Sequence, residues 1–295
     1  MKNHKPRIQA RKVLYKIRSE FPSLSWRKYR FINHGWDHFV IILDEKIVFR
    51  TSKDVRDRYE LKTEIGLLAY LRKKVDIGIP EYKYITRDKT LAGYDILPGK
   101  ELTPARFRRL MKEEKQTVAR QLAHFISILH ATPKSVINKY HVRIQNYHKE
   151  FTSFVRNIKV LLFPRLRKRE IKTTILFLNE LKNEIGRKFP RTLVHQDLGD
   201  IHILWDKKNK QINIIDFSDR SYGDPAIDFT GLLEYETAFT RRVYRLYKGK
   251  KDDRMLIRSK LYYKKVSLYL MMDALRGDPC TFKEGYELFR RRFKI

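Results

Sequence analysis

HQDLGDIHILWDKKNKQINIIDF, residues 195–217, is the stretch that decides how this chain folds and what chemistry it can carry. A loop holds His195 and Asp197, and a predicted strand hairpin leads on to Asp216, which ends the apolar run 212–215. Two carboxylates at neighbouring strand ends fit phosphoryl transfer, in which one orients the attacking hydroxyl and the other holds Mg²⁺. Either fragment alone would fit an ordinary turn or strand end, whereas their combination favours a catalytic site.

The composition is that of a folded protein rather than of a disordered polycation. Of the 295 residues, 42% are hydrophobic and 13% are aromatic, which is enough for a sizeable core. The single cysteine, Cys280, excludes an internal disulfide framework and a cysteine-rich zinc site. No apolar run approaches the roughly 18 residues of a membrane span, and the N-terminus lacks the apolar core of a signal peptide. We therefore expect a cytoplasmic protein with no membrane partner.

The chain is strongly basic, with 65 lysine and arginine residues against 34 acidic ones and a formal net charge of +31. The basic residues are scattered, and their densest runs, 165–169 and 290–292, fit solvated helix faces. Because no zinc-finger spacing or RNA-binding aromatic motif occurs, we predict no specific nucleic-acid partner. Residues 195–240, the acidic stretch, reverse the balance with nine acids and four bases. Since like charges repel, we expect a metal or a cationic substrate to balance it.

The order of the predicted elements indicates an α+β fold in two lobes. Short strands and two helices, over 7–20 and 54–75, fill the first third, and helices dominate after the Pro98-Gly99 connector, apart from the hairpin. We predict an N-terminal lobe over 1–97 and a larger helical lobe over 98–295. The loop 33–37, NHGWD, could cover phosphates with its backbone amides. The longer helices are expected over 114–131, 147–162, 169–187, 228–247 and 253–275.

Three motifs follow one another in a telling order. The loop His195-Gln196-Asp197 comes first, then the strand end Ile214-Ile215-Asp216-Phe217, and then Gly223-Asp224-Pro225 with Asp228-Phe229 close behind. Together they resemble the aminoglycoside phosphotransferase family, relatives of the protein kinases, over most of the chain. The resemblance implies a two-lobed protein-kinase-like fold, with a small β-rich N-lobe, and transfer of a nucleotide γ-phosphate to a hydroxyl of a small molecule.

The resemblance also implies roles for single residues. Asp197 would be the catalytic base, which orients the acceptor hydroxyl and accepts its proton. His195 is expected to support the loop by hydrogen bonding, and Asp216 to chelate Mg²⁺. The second metal ligand, usually asparagine in the family, is His202 here. The same replacement is found in the subgroup of 2″-aminoglycoside and macrolide 2′-phosphotransferases.

The nucleotide site implied by the resemblance lies in the N-terminal lobe. Arg50 takes the place of the family's nucleotide-binding lysine, and Glu64 on the following helix is its expected partner. Tyr94 occupies the gatekeeper position, where a bulky side chain favours GTP over ATP as the phosphoryl donor. Three hinge residues would read the purine edge with their backbone: Asp95, Ile96 and Leu97.

The acceptor leaves several hypotheses open. An aminoglycoside is the first, because carboxylates can bind such a polycation. The carboxylates expected to do so are Asp219, Glu234 and Glu236. A macrolide or another metabolite is the second hypothesis, and the third, from another class, is a basic nucleic-acid-binding protein with a degenerate kinase motif. The apolar face that would suit a macrolide comprises Tyr262, Tyr269, Leu270 and Met271. We expect a monomer that binds a nucleotide and a small-molecule acceptor.

Overall fold

The computed structural model describes residues 4–32, 38–52 and 58–295, and the chain divides into two compact units. Unit 1 comprises Met1–Pro98 with Asn213–Ser218, and unit 2 comprises Gly99–Ile212 with Asp219–Ile295. The loop 33–37, which we expected to cover phosphates, lies outside the described residues.

Unit 1 is built on an antiparallel sheet of order β1-β2-β3-β5-β4. Its strands are β1 Tyr29–Ile32, β2 His38–Leu43, β3 Ile47–Ser52, β4 Tyr84–Ile85 and β5 Leu91–Asp95. The β2–β3 turn has positive φ at Asp44 (48°) and Glu45 (50°), as a type I′ turn requires. This turn sets the register in which Leu43 pairs with Ile47.

The two faces of the unit 1 sheet have different tasks because side chains alternate along a strand. One face packs in a core that includes Ile17 of helix α1 (His4–Glu20), with Ile41 and Phe49. On the other face Val48 packs with Tyr94, and Arg50 of β3 lies on that same face. Helix α2 (Arg58–Leu71) follows β3. The register thus places a cationic side chain next to the predicted gatekeeper.

Unit 2 is mainly helical. Its helices are α3 Pro104–Arg108, α4 Lys112–His130, α5 Lys134–Lys139, α6 Tyr147–Asn157, α7 Lys168–Ile185, α8 Thr237–Leu246, α9 Met255–Arg276 and α10 Phe282–Phe293. Its short strands are β6 Lys100–Glu101, β7 Thr192–Val194, β8 Ile203–Asp206 and β10 Ser221–Gly223. Strand β10 pairs with β7, and a second small sheet has the order β6-β8-β9, where β9 is Gln211–Ile214. A β-rich N-terminal region and a helical C-terminal region confirm the predicted α+β class.

Two predicted helices are wrong in their extent. The helix expected over 228–247 is replaced by two 3-10 turns, Pro225–Phe229 and Gly231–Glu234, and by α8. The first turn is capped by the Asp224 side chain, which accepts from Ala226 N at 3.0 Å and so marks a separate helical start there. Of the helix expected over 147–162, only the part that forms α6 is α-helical. A π-helical turn, Ile158–Leu162, follows α6 and runs into a 3-10 turn that contains Pro164.

Candidate active site

A buried ion-pair cluster in unit 1 centres on Arg50. Its Nη1 donates to Glu64 Oε1 at 3.2 Å, and its Nη2 donates to Asp216 Oδ1 at 2.9 Å. The Arg50 side chain is 5% exposed and that of Glu64 is 1% exposed, so the pair expected from the sequence is present and buried. The planar guanidinium fork lets one residue join helix α2 to the segment just beyond β9.

The electrostatics of this cluster favour its ionised form. Burial acts to lower the pKa of Arg50, but the negative charges of Asp216 and Glu64 outweigh it and hold that pKa well above its ordinary value. Tyr82 completes the cluster by donating to Glu64 Oε1 at 2.7 Å. Burial and the neighbouring Glu64 carboxylate raise the pKa of Tyr82 well above its usual value. The tyrosine therefore stays protonated and serves as a hydrogen-bond donor.

Tyr94 and the predicted hinge follow on the neighbouring strand. The Tyr94 and Tyr82 rings meet edge to face, with centroids 5.3 Å apart, and burial raises the pKa of Tyr94 to about 12. Asp95 accepts from Lys83 Nζ at 2.5 Å, and the Ile96 N–H donates to Lys46 O at 2.7 Å. A purine could therefore take a hydrogen bond from the Ile96 amide only by breaking that contact.

Asn213 fixes the strand that leads to Asp216, a role that the sequence did not reveal. Its Oδ1 accepts from Gly78 N at 3.0 Å, and its Nδ2 donates to Pro98 O at 2.7 Å. A Cβ on Gly78 would lie 2.2 Å from Asn213 Oδ1, so this approach requires glycine. The one available signal was a polar residue inside an otherwise apolar strand.

Asp216 has an unusual backbone conformation. Its φ is 63°, in the left-handed region that aspartate tolerates better than most residues. The Ser218 hydroxyl donates to Asp216 Oδ1 at 2.5 Å, on the same oxygen that Arg50 contacts. Such conformations persist where the surrounding contacts impose them, and they concentrate at functional sites.

In unit 2, Asp197 lies on the loop between β7 and β8 with a side chain that is 57% exposed. His202 closes this loop, because its Nδ1 lies 2.8 Å from Asp197 O and 3.2 Å from Asp197 Oδ2. A carbonyl oxygen can only accept, so Nδ1 is the donor. In the tautomer with a single proton, on Nδ1, it is Nε2 that has the lone pair required to bind a metal.

Asp228 anchors the backbone of the Asp197 loop, and sequence reasoning did not assign it this role. Its Oδ2 accepts from His195 N at 3.0 Å and its Oδ1 accepts from Gln196 N at 2.8 Å. His130 Nε2 lies 3.0 Å from Asp228 Oδ2, and His130 Nδ1 lies 2.8 Å from the Tyr247 hydroxyl. Asp228 and His195 are fully buried, and His195 contributes to the support of the loop with its backbone amide.

Gln196, which lies between His195 and Asp197, is held by its side chain. Gln196 has a φ of 76°, and its Oε1 accepts from Gln145 Nε2 and from Ser221 Oγ, each at 2.6 Å. Main-chain and side-chain bonds thus hold the two residues before Asp197, while the Asp197 carboxylate itself is exposed. This is the arrangement of a preorganised functional group on a rigid support.

Asp224 has a structural role. Arg258 donates to both of its oxygens, with Nε to Oδ2 at 2.6 Å and Nη2 to Oδ1 at 3.0 Å, and Tyr262 donates to Oδ2 at 2.8 Å. All three side chains are buried. Met271 is also fully buried, so Tyr262 and Met271 belong to the core. The apolar face suggested for a macrolide therefore loses two of its four residues.

The predicted acceptor carboxylates differ in their surroundings. Glu234 is hydrogen-bonded to Arg292 and lies 3.6 Å from Arg291, whereas Glu236 lies 3.6 Å from Lys115. Asp219 is exposed. The chain's own cations thus neutralise much of the acidic stretch, which corrects the expectation that an external cation has to do so.

Asp200 is a further carboxylate on the loop between β7 and β8. Burial, reinforced by the negative charge of Glu234, raises its pKa above the ordinary value. Across the described residues, no group of three or more histidine, cysteine or acidic side chains is arranged to hold a metal ion. Nor does any helix in those ranges have the length and apolar character needed to cross a bilayer.

The fold, the ion-pair cluster around Arg50 and the supported loop that carries Asp197 are those of a kinase-like phosphotransferase. The chain belongs to the phosphotransferase enzyme family, whose model matches residues 28–253. A solved GDP and kanamycin complex of APH(2″)-IIia is 25% identical, with a TM-score of 0.86 over 95% of this chain and 98% of the other. A GDP complex of wild-type aminoglycoside 2′-phosphotransferase-IIIa is 25% identical, with a TM-score of 0.85 over 96% of this chain and 98% of the other. Macrolide 2′-phosphotransferase MphH from Brachybacterium faecium shares the fold, with 16% sequence identity and a TM-score of 0.68 over 95% of this chain and 97% of the other.

Proposed function

We propose that this phosphotransferase moves the γ-phosphate of GTP or ATP to a hydroxyl of an aminoglycoside, with Asp197 as the catalytic base. The observation that carries the proposal is the exposed Asp197 carboxylate on a loop held by Asp228 and Gln196. In phosphoryl transfer the protein mainly positions groups and stabilises charge, so a fixed loop with an accessible carboxylate is the expected device. Asp197 would orient the acceptor hydroxyl and take up its proton.

The nucleotide would bind in the N-terminal lobe, for which we propose residues 1–97, leaving 98–295 as the catalytic and acceptor-binding lobe. Arg50, held by Glu64, would contact the phosphates, since guanidinium groups bind phosphate oxygens well. Tyr94 would limit the base pocket and favour GTP. The GDP bound to the two relatives at 25% identity supports a guanine nucleotide as donor. The hinge residues Asp95, Ile96 and Leu97 would read the base with their backbone, with Ile96 offering its carbonyl because its amide donates to Lys46 O.

Asp216 and His202 would hold Mg²⁺, which neutralises phosphate charge and orients the γ-phosphoryl group when bound. The Asp216 carboxylate is an oxygen donor of the kind that Mg²⁺ prefers, whereas the His202 imidazole is a poorer ligand for this ion. Mg²⁺ usually binds through one or two carboxylates and completes its shell with phosphates and waters, so a cluster of three protein ligands is not required. The Asp216 side chain is 38% exposed, and His202 directs its protonated nitrogen to Asp197 O. Arg50 would hold the Asp216 carboxylate in place.

The acceptor would be held by Asp219, Glu234 and Glu236. Asp219 is exposed, and Glu234 and Glu236 contact basic side chains that an aminoglycoside amine would have to displace. The kanamycin bound to the APH(2″)-IIia relative supports an aminoglycoside. A macrolide stays as the alternative acceptor, and a monomer as the expected state.

The test is a phosphotransfer assay with kanamycin, gentamicin and erythromycin as acceptors and with GTP and ATP as donors. Phosphorylation of kanamycin or gentamicin at a higher kcat/KM than erythromycin is the expected result. Preferential phosphorylation of erythromycin would move the assignment to the macrolide alternative. Phosphorylation of none of the three would contradict the proposed acceptor class.

A further inference from the structure

A basic groove runs between α4 and α8 in unit 2, outside the elements that carry Asp197. A cavity of about 450 Å³ opens there, and its lining consists of Gln116, Arg120, Arg242, Arg245 and Leu246. Arg120 and Arg245 are exposed and Arg242 is half-buried, so the guanidinium groups are accessible from the surface. We call this cavity with its three arginines the arginine groove.

The arginines of this groove have no acidic partner, unlike others in the same unit. Arg254 pairs with Glu184 at 2.6 Å and Arg258 pairs with Asp224 at 2.6 Å. By contrast, Arg120 donates to the Thr117 hydroxyl at 2.9 Å, and no carboxylate of the described residues pairs with any of the three groove arginines. Helix α8, TAFTRRVYRL, contains no acid at all. Three positive charges therefore face one cavity without compensation from the protein.

The positive charge continues along the junction of the two helices. A second cavity of about 350 Å³ shares Arg242 and Arg245 with the first and adds Lys112 and Lys115. Its single acid, Glu236, lies 3.6 Å from Lys115. The net charge of the combined surface is thus positive over two adjoining cavities, which fits a ligand with repeated negative charges better than one with a single anion.

The chemistry of the lining points to phosphate groups in series. Guanidinium forks bind phosphate oxygens in pairs and are the preferred side chains for this purpose. The larger cavity has no aromatic ring on which a base could stack, so contact with a nucleic acid would be made to its backbone. We propose that the arginine groove binds the phosphodiester backbone of duplex nucleic acid without reading its sequence. This binding is additional to phosphotransfer and does not depend on the proposed function.

The overall charge supports the same ligand at long range. With a formal net charge of +31, the chain attracts polyanions, and the release of their counterions into solution favours binding. Net charge alone would spread binding over the whole surface. The proposal instead assigns the phosphate contacts to Arg120, Arg242 and Arg245, and this localisation makes it testable.

The experiment measures binding of fluorescein-labelled DNA and RNA duplexes of about 20 base pairs, or two helical turns, by anisotropy. Salt is varied from about 50 to 200 mM, and the slope of log Kobs against log salt is compared between variants. The test variant combines Arg120→Gln, Arg242→Gln and Arg245→Gln. The matched control combines Lys168→Gln, Arg169→Gln and Lys172→Gln, which removes the same charge from exposed positions on α7.

The proposal predicts that the groove variant loses about 2.7 from the magnitude of the DNA slope, at about 0.9 for each phosphate contact. This corresponds to binding about 10²–10³-fold weaker near 0.1 M salt. The control should keep the wild-type slope, and Arg→Lys changes at the three groove positions should weaken binding less than Gln does. Circular dichroism and thermal unfolding show whether each variant is folded.

Equal losses in the groove variant and the α7 control would overturn the proposal, because net charge would then account for the binding. Failure of the wild type to bind either duplex at about 50 mM salt would overturn it as well. Groove-dependent binding of polyglutamate or of phosphatidylserine vesicles in place of the duplexes would do the same, by assigning the groove to an acidic protein or to a membrane surface.

Discussion

Arg50 Nη2 lies 2.9 Å from Asp216 Oδ1, and the same guanidinium pairs with Glu64. The side chain proposed to contact nucleotide phosphates therefore also holds the carboxylate proposed to bind Mg²⁺. A buried cation that serves two carboxylates makes the geometry of each depend on the other.

Replacing Arg50 tests this dependence. Arg50→Ala leaves Glu64 buried without its cation, which we expect to lower the free energy of unfolding by about 3–5 kcal/mol. Arg50→Lys keeps the charge but cannot contact both carboxylates as a fork, and we expect a smaller loss together with a raised KM for the nucleotide. Urea unfolding and steady-state kinetics measure the two effects.

The control is Arg30→Ala, because Arg30 pairs with Glu45 at the same 2.9 Å but on the surface. Surface pairs contribute little, so the control should unfold much like the wild type. Equal destabilisation by Arg30→Ala and Arg50→Ala would show that the buried cluster is not the stabilising element we describe.

Asp228→Asn tests the support of the loop that carries Asp197. The substituted amide cannot accept from the backbone N–H groups of both His195 and Gln196, so Asp197 should be misplaced. We expect kcat to fall about 10²-fold with little change in the KM for the nucleotide, as misplacement by about 1 Å can do. Because Asp228 acts only through Asp197, the substitution should cost nothing further in an Asp197→Ala background. Additive losses in the double variant would contradict a positioning role.

Tyr94→Met tests the donor preference. A flexible side chain would no longer fix the wall of the base pocket, and we expect the ratio of kcat/KM for GTP over ATP to fall about 10-fold, a change of roughly 1.4 kcal/mol. Tyr82→Phe keeps the edge-to-face ring contact with Tyr94 and removes only a hydroxyl, so its ratio should match the wild type. An unchanged ratio in Tyr94→Met would remove Tyr94 from the specificity determinants.

The acceptor carboxylates should respond differently to substitution. Asp219→Asn is expected to raise the KM for kanamycin about 10-fold, the effect of losing about 1.4 kcal/mol of binding. Glu234→Gln should act mainly on thermal stability, since Arg292 is largely buried and depends on that carboxylate. A larger rise in the KM for kanamycin in Glu234→Gln than in Asp219→Asn would place Glu234, rather than Asp219, against the acceptor amines.

Lys265 gives a pH-dependent prediction. Burial beside the Phe154 and Tyr269 rings lowers the pKa of Lys265 to about 8, against a partial opposing effect of Glu150. Between this pKa and that of the unfolded chain, near 10.5, the unfolded state binds the extra proton. Stability therefore rises with pH through this window. Denaturant titrations at several pH values measure the free energy of unfolding of the wild type and of Lys265→Met. The difference between the two free energies should change across this pH window, and a constant difference would contradict the assignment.

The parts of the site that follow from local pattern could be predicted from the sequence. Asp216 was found because a short apolar strand ends there. The Arg50–Glu64 pair was implied by the resemblance to the phosphotransferase family, and the structure contains that pair. The α+β class followed from the order of such segments.

The contacts that close over long sequence separations could not be predicted. Asp228 is 33 residues from His195, and Gln145 is 51 residues from Gln196, so no local signal links them. The pairing of Glu234 with Arg292, 58 residues away, was missed for the same reason. The acidic stretch therefore looked uncompensated in the sequence, whereas in the fold distant arginines neutralise much of it.

The most direct test of the central claim is single-turnover phosphotransfer from GTP to kanamycin by the wild type and by Asp197→Asn. As the catalytic base, Asp197 should contribute about 10²–10⁴-fold to the rate, so the variant should lose that factor while it binds the nucleotide as the wild type does. Phosphotransfer by Asp197→Asn within a few-fold of the wild-type rate would contradict the account.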